Sequence, residues 1–363
     1  MSRSGMIYQN SVTIDNWQWF WSENCNALYK RNLKTGAVCR VSNYENYKNA
    51  AYTKLVYYQK KLIALPYAAS KVMIYDMESG EIRYSDIGIP EMKNTDDNTE
   101  KFYGAVSKDN WLFMIGCKTA HILKFDMNQE LTAGYVDLYQ NLPGKKGGIG
   151  YLREGVVYKN QIFIPALYEN NVFQLDIDNL QYVTKGFNRK GKGFSTICRV
   201  GDQIWLFPFD KGEIIQWNIR EDMIIGHDVD CLIDFRKGSR NFLSAHLINN
   251  CLWIIPRLAN KILTYDFAAN QFSDKNAVNS YFAGIDRKLE GISDEIIGEN
   301  ILFLSSLIEE VILLDTGKDE IRLISNEMSE QDFLNFLRKK TGKVAVSEKD
   351  ISLSRFLDFM CGL

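Results

Sequence analysis

The chain of 363 residues has few of the side chains on which many metal and catalytic sites depend. It contains three histidines, His121, His227 and His246, and none has a second ligand at the spacing of a metal site. Its seven cysteines are scattered, without the close pair that binds zinc or forms a redox centre. The sequence therefore predicts neither a metal nor a cofactor.

Long apolar runs and a strong charge imbalance are also absent. No apolar stretch approaches the ~20 residues of a membrane span, and residues 1–11 lack the apolar core of a secretion signal. The net charge of −2 gives no overall attraction to nucleic acid or to a membrane. Scattered cysteines are typical of a reducing compartment. We therefore expect a cytoplasmic protein, with no membrane partner and no strong sign of nucleic-acid binding.

What the chain does contain is a motif that returns seven times, about every 48 residues. Each copy has two apolar runs separated by a polar turn, and the second run ends in Asp or Asn. The seven endings are Asn32, Asp76, Asp126, Asp176, Asn218, Asp266 and Asp315. Because this residue recurs in every copy, we interpret it as a turn former that accepts backbone N–H groups, not as a catalytic acid.

Residues 150–184 show one repeat in full, as four short antiparallel strands joined by polar turns. Repeats of this length and content are typical of β-propeller blades. Four of the six prolines end a predicted second strand: Pro66, Pro165, Pro208 and Pro256. The sequence predicts an all-β fold, a seven-bladed β-propeller of four-stranded antiparallel blades over residues 6–326. A six-bladed ring with an irregular extra unit is the alternative.

The segment 327–363 breaks the repeat. Ser329 and Ser347 each have the position of a helix cap, and apolar residues follow both at helical spacing. We predict a short C-terminal helical tail of two amphipathic helices. The tail either packs on the rim of the propeller or binds another protein, and the sequence leaves both open.

Several blade segments resemble those of known seven-bladed propellers, namely Lys71–Asp76, Gly201–Leu206 and Asn250–Ile254. Over residues 6–325 the chain is similar to the kelch proteins and the streptogramin (virginiamycin B) lyases. The resemblance implies the propeller architecture, not an activity. The lyases use a His and a carboxylate on the channel face, and His246 is the histidine predicted in a first strand here.

The loops that join one blade to the next are basic, whereas the turns on the opposite face are acidic. Positive loops around the mouth of the central channel would attract an anion. Exposed glycine backbone and Arg would bind it, and aromatic rings would stack on it. The residues predicted to bind are Lys145, Lys146, Arg153, Arg189, Lys190, Lys192, Arg236, Lys237, Arg240, Arg287 and Lys288, with Tyr103, Tyr151, Phe194 and Phe242.

We therefore expect a ligand-binding or protein-interaction scaffold. Its basic funnel would bind an anionic small molecule, a glycan or an acidic partner segment, and its C-terminal helices would offer a second protein a docking site. The alternative is a lyase or hydrolase that acts on a sugar or a phosphorylated compound in the same funnel. Its catalytic candidates are His246, Glu154 and Asp294, the two carboxylates being expected at one level of the inner strands. Ordinary packing of the histidine and solvated channel walls explain the same residues structurally.

Overall fold

The computed structural model describes residues 6–47, 49–89, 100–118, 121–138, 152–189, 191–284, 291–305, 310–327, 329 and 331–332. They form seven four-stranded antiparallel sheets, each built from four consecutive strands. The first strand of every sheet contacts the first strands of both neighbouring sheets, and the first and last sheets meet to close the ring. This confirms the seven-bladed propeller, and the six-bladed alternative is wrong.

The first four blades have the following strands. Blade 1 contains β1 (Ser11–Ile14), β2 (Trp17–Ser22), β3 (Ala27–Asn32) and β4 (Val38–Arg40). Blade 2 contains β5 (Tyr52–Tyr58), β6 (Lys61–Pro66), β7 (Lys71–Asp76) and β8 (Ile82–Asp86). Blade 3 contains β9 (Phe102–Lys108), β10 (Trp111–Gly116), β11 (His121–Asp126) and β12 (Leu131–Asp137). Blade 4 contains β13 (Val156–Tyr158), β14 (Gln161–Pro165), β15 (Asn171–Asp176) and β16 (Tyr182–Gly186).

The last three blades complete the ring. Blade 5 contains β17 (Phe194–Val200), β18 (Gln203–Pro208), β19 (Ile214–Asn218) and β20 (Met223–His227). Blade 6 contains β21 (Phe242–Ile248), β22 (Cys251–Pro256), β23 (Leu263–Asp266) and β24 (Gln271–Ser273). Blade 7 contains β25 (Gly291–Ile297), β26 (Asn300–Ser305), β27 (Glu310–Asp315) and β28 (Glu320–Ser325).

An apolar core fills the space between every pair of neighbouring blades. Between blades 7 and 1, for example, Leu302 and Leu304 pack with Phe20 and Tyr29. Burial of each such side chain contributes ~1.5–3 kcal/mol, so the interfaces between sheets hold the ring together. Second strands ending in proline are confirmed in blades 2, 4, 5 and 6.

The recurring Asp or Asn forms the same turn in all seven blades. Oδ1 of Asp76 accepts the backbone N–H groups of Glu78 and Ser79, both at 3.0 Å. The same two bonds, from the residues two and three positions later, are made to Asn32, Asp126, Asp176, Asn218, Asp266 and Asp315. The turn-forming interpretation is confirmed.

One element was not predicted from the sequence, the helix α1 (Ala277–Gly284) between β24 and β25. Oδ1 of Asn276 accepts the N–H of Asn279 at 2.9 Å and caps the helix. Val278 and Phe282 are buried in the core between blades 6 and 7. The helix therefore replaces part of a loop that connects two blades. Among the described residues, no helix combines the length and apolarity needed to cross a membrane.

The predicted C-terminal helices lie outside the described residues, apart from the start of the first helix. Oγ of Ser329 accepts the N–H of Asp332 at 3.2 Å, which is the predicted cap. The Asp332 carboxylate also accepts the hydroxyl groups of Tyr29 and Tyr44, at 2.7 and 2.8 Å. The start of the tail is therefore bonded to blade 1.

Candidate functional site

The mouth of the central channel is organised by a backbone hydrogen-bond pattern that repeats around the ring. Tyr67, directly after β6, donates its N–H to the carbonyl of Ala51, just before the first strand of its own blade (2.8 Å). Its carbonyl accepts the N–H of Lys101, just before the first strand of the next blade (2.9 Å). Arg257 donates in the same way to Asn241, at 2.8 Å. In blades 2, 3, 5 and 6 this bond holds the residue after the second strand at the mouth, beside the inner strands.

Three arginines lie together at this mouth: Arg153 precedes the first strand of blade 4, and Arg240 and Arg257 flank the first two strands of blade 6. The guanidinium carbon of Arg153 is 4.0 Å from the centre of the Tyr103 ring, and that of Arg240 is 5.9 Å from the same ring. Burial lowers the pKa of Arg240, and the charges of Arg153 and Arg257 lower it further. The mouth is therefore a concentrated patch of positive charge with one tyrosine ring at its centre.

Several guanidinium N–H groups at the mouth have no acceptor. Arg240 is only 7% exposed; its Nη2 donates to the carbonyl of Leu243 at 3.0 Å, but its Nε and Nη1 have no partner within the described part of the chain. The same holds for Nε of Arg153 and Nη1 of Arg257, both buried atoms. An unpaired buried N–H costs ~1–3 kcal/mol, and more when it is charged. The fold thus leaves costly donors of three arginines unpaired at the mouth.

A cavity of about 320 Å³ lies beside the arginines. Its wall meets them at Tyr103, whose hydroxyl donates to Oε1 of Gln9 at 2.9 Å, and at Glu23, which feels the charge of Arg257. Burial raises the pKa of Glu23, against the opposing effects of Gln9 and Arg257. The lining residues are Gln9, Glu23, Asn49, Ala50, Thr53, Tyr67, Glu100 and Tyr103.

Gly104 in β9 allows the Arg153 segment to reach Tyr103. A Cβ atom at this position would lie 1.8 Å from the carbonyl oxygen of Arg153. No side chain fits there without moving the backbone, so the glycine lets blade 4 approach the inner strand of blade 3. This close approach places the guanidinium of Arg153 over the ring.

Further along the inner strands, His246 of blade 6 is hydrogen bonded to Asp294 of blade 7. Oγ of Ser244 donates to Oδ2 of Asp294 at 2.5 Å and is 3.1 Å from Nε2 of His246. Burial acts to raise the pKa of Asp294, but His246, Ser244 and Lys54 outweigh it and hold that pKa below its usual value. Ser244 and Asp294 meet the same ring nitrogen, whereas a nucleophilic relay uses both nitrogens.

Glu154 and Asp294 were expected at equivalent positions of their first strands, and this expectation is wrong by one residue. The turn of blade 7 is Gly298-Glu299, so Ser293 pairs with Leu304 just as Ser244 pairs with Ile255. Asp294 is one residue later and faces the other side of its strand, because strand side chains alternate. Glu154 interacts electrostatically with Arg240 and Cys198 instead. The two carboxylates therefore belong to different surroundings.

The structure brings together three of the predicted binding residues, Arg153, Arg240 and Tyr103. Arg189 instead braces its own loop, donating through Nη1 to Asn170, Lys192 and Gly193, while its buried Nε and Nη2 have no partner among the described residues. The rings of Phe194 and Phe242 are buried, 1% and 0% exposed, in cores between blades. Lys192, Arg236 and Lys237 are exposed. The remaining predicted residues lie outside the described part of the chain: Lys145, Lys146, Tyr151, Lys190, Arg287 and Lys288.

Sequence reasoning missed Arg257, Glu23 and Tyr67, because it considered only the loops between blades. All three directly follow a second strand, and they come from blades 6, 1 and 2. The corresponding residues of blades 3, 4 and 5 are Cys117, Ala166 and Phe209. A comparison of the residue that follows the second strand in each blade would have identified the polar side of the mouth.

No family model and no curated protein sequence matches the chain. Among solved structures, virginiamycin B lyase from Staphylococcus aureus is 14% identical, with a TM-score of 0.61 over 84% of this chain and 94% of that one. The computationally designed Ika8 protein is 9% identical, with a TM-score of 0.57 over 89% of both chains. The Cps50 (Swd1) propeller domain of Myceliophteria thermophila is 12% identical, with a TM-score of 0.54 over 77% of this chain and 88% of that one. At such identities the likeness shows the fold alone.

Proposed function

We propose that this propeller is a binding protein whose channel mouth holds a small anion through Arg153, Arg240 and Arg257. The observation that carries the proposal is the set of buried guanidinium N–H groups without acceptors. Arg pairs with carboxylate and phosphate through parallel N–H bonds that are about twice as strong as neutral ones. An anion at this point would accept the donors that the protein leaves unpaired.

The energetics of the mouth support a ligand rather than a role in the fold. Burial of Arg240 and its repulsion by Arg153 and Arg257 both destabilise the folded chain. An apolar residue at these positions would avoid both costs. A bound anion reverses them, because it neutralises charge and pairs donors where water has limited access.

The test measures the binding of phosphate and acetate by calorimetry at low and moderate salt. We expect wild-type protein to bind both anions, more weakly as salt screens the charges, and Arg240→Met to lose binding. Lys237→Met is the matched control, since Lys237 is exposed in the same loop, and it should bind as wild type does. Wild-type protein that binds neither anion, or an Arg240→Met protein that binds them equally well, overturns the proposal.

One observation favours a second function, a lyase or hydrolase acting on the bound compound. His246 is hydrogen bonded to Asp294 in the same channel, and a His with a carboxylate partner is suited to transfer a proton. For a compound that the protein both binds and converts, His246→Gln should abolish turnover and leave binding intact. Unchanged turnover in that variant contradicts this function.

An acidic segment of a partner protein at the mouth, and a protein partner at the C-terminal helices, stay predictions, as does the cytoplasmic location. The acidic segment is distinguished by its size, because it would extend over the exposed Arg236 and Lys237. Reversal of these two charges should then weaken binding as much as Arg240→Met does. The binding of a small anion should change with this charge reversal no more than it changes with salt concentration.

A further inference from the structure

The cavity beside the arginines is lined almost entirely by hydrogen-bonding side chains, with Ala50 as the apolar exception. Its volume of about 320 Å³ is at the lower end of the ~300–1,000 Å³ of small-molecule sites. A polar wall in a compact space favours a small ligand with several polar groups. It does not favour an apolar one, because the wall would lose its contacts with water without replacement.

The hydroxyl groups of the wall present acceptors to that ligand, because their hydrogens are already used. The Tyr103 hydroxyl donates to Gln9 at 2.9 Å, and the Thr53 hydroxyl donates to the carbonyl of Phe102 at 3.1 Å. The Tyr67 hydroxyl is hydrogen bonded to Glu100, which together with burial raises the pKa of Tyr67. What these groups leave for a ligand are mainly lone pairs on oxygen. A matching ligand donates hydrogen bonds into the cavity.

The carboxylates of the wall already have cationic neighbours in the protein. Glu100 is 3.5 Å from Lys118, and Glu23 is close enough to Arg257 to feel its charge. Among the described residues, the mouth and cavity hold the cations Arg153, Arg240, Arg257 and Lys118 and the carboxylates Glu23, Glu100 and Glu154. The buried Lys101 adds a further cation, whose Nζ donates to the carbonyl of Ala68. The positive excess suits a ligand with a single negative charge and otherwise neutral donors, such as hydroxyl groups.

We infer that the ligand is a small sugar acid. Its carboxylate binds Arg153, Arg240 and Arg257, and its hydroxyl groups donate to the acceptors of the adjoining cavity, Glu23 foremost. The inference rests on the proposed function, since it names the class of anion that the same mouth selects. Neither half of the site suffices: the arginines hold any small anion, and the cavity distinguishes one that carries hydroxyl groups.

The test compares three probes by calorimetry on the full chain: glucuronate, which has both features, acetate, which has only the charge, and glucose, which has only the hydroxyl groups. We expect glucuronate to bind at least tenfold more tightly than either of the others. Glu23→Gln should weaken glucuronate about tenfold relative to acetate, as expected for one lost charge-assisted hydrogen bond, because the lost negative charge acts on both anions alike and the lost acceptor acts on glucuronate alone. Tyr67→Phe, which alters the same wall by one hydroxyl, serves if Glu23→Gln does not fold.

The outcomes separate the inference from the proposed function. If acetate binds through Arg240 and glucuronate binds no more tightly, the sugar-acid inference is overturned and the proposed function stands. If neither acetate nor glucuronate binds, both are overturned. Glycine is a fourth probe, because its ammonium group would bind to the carboxylates of the wall. If glycine binds more tightly than glucuronate, the inference is overturned. It is also overturned if Glu23→Gln weakens the binding of acetate and of glucuronate equally.

Discussion

Two buried arginines of this propeller have opposite hydrogen-bond surroundings. Arg31, between the first and last blades, is 0% exposed and donates to Tyr8 at 3.2 Å, to Gln18 at 2.6 Å and to Asn326. Arg240, at the channel mouth, is 7% exposed and donates a single bond, to Leu243. Its remaining buried donors, Nε and Nη1, are unpaired, whereas Arg31 leaves only Nε unpaired.

The difference shows how to tell a structural cation from a binding one. Arg31 joins blade 1 to Asn326, whose side-chain amide in turn donates to the carbonyl of Met6 at 3.0 Å, so the arginine helps to join the two ends of the propeller. Arg240 does not link two distant parts of the chain in this way, and the positive charges of Arg153 and Arg257 are close to it. Burial is therefore not the distinguishing property. The distinguishing property is whether the fold itself supplies the acceptors.

The largest expected effect is the loss of Arg31. Arg31→Met removes three hydrogen bonds and leaves Tyr8, Gln18 and Asn326 with buried acceptors unsatisfied. We expect the free energy of unfolding, measured in urea, to fall by about 3–5 kcal/mol. Arg40→Met on the exposed outer strand is the control and should change it by less than about 0.5 kcal/mol. A loss below about 1 kcal/mol for Arg31→Met contradicts its structural role.

The same junction should give the protein a pH-dependent stability. Oε2 of Glu295 accepts the Ser11 hydroxyl at 2.5 Å, and burial raises the pKa of Glu295 to about 7. Because this exceeds the pKa of about 4.3 of an unfolded Glu, the folded state holds the proton more tightly. The stabilisation is complete below about pH 4 and is lost as pH rises through about 7, in total about 3–4 kcal/mol.

Urea unfolding between pH 5 and 8 checks this prediction against Glu295→Gln, whose amide does not titrate. The stability of wild-type protein relative to the variant should decrease over this range. A constant difference, or one that increases with pH, would show that the carboxylate is already ionised at pH 5.

The third effect concerns the approach of blade 4 to blade 3 at the mouth. Gly104→Ala should destabilise the protein by about 2 kcal/mol, since the new Cβ collides with the Arg153 carbonyl. It should also weaken anion binding, because the Arg153 segment must move. Gly186→Ala is the matched strand substitution, as its Cβ would have no atom within 4 Å. Equal behaviour of the two variants in unfolding and binding would refute the steric argument.

The smallest effect has the opposite sign to that of Arg31. Without an anion, Arg240→Met should raise the free energy of unfolding by about 1 kcal/mol, because an unpaired buried charge is replaced by an apolar chain. Urea unfolding in an uncharged buffer measures the change, with Lys237→Met as the neutral control. A loss of more than about 2 kcal/mol would make Arg240 structural, like Arg31, and would remove the comparison.

The fold was predictable because its signals are local. Each turn depends on one Asp or Asn and the next three residues, as at Asp76, and each second strand has its own apolar run, ended in four blades by proline. The helix α1 lay within a segment interpreted as a connecting loop. The prediction that Asp294 is equivalent to Glu154 was wrong for a related reason. The turn of blade 7 lies one residue earlier than the sequence pattern indicated, and a shift of one residue reverses which side chains of the strand face blade 6.

The sequence by itself determined the repeat, the four strands of a blade and the turn after each third strand, since these follow from patterns within a few residues of each other. Only the tertiary structure decided which basic residues meet. Arg153 belongs to blade 4 and Arg240 and Arg257 to blade 6. Tyr103, Glu23 and Tyr67 come from three other blades and join the arginines only when the ring closes. Which cations are satisfied by the fold and which are left for a ligand is likewise a property of the closed ring, because it depends on acceptors supplied by distant parts of the chain.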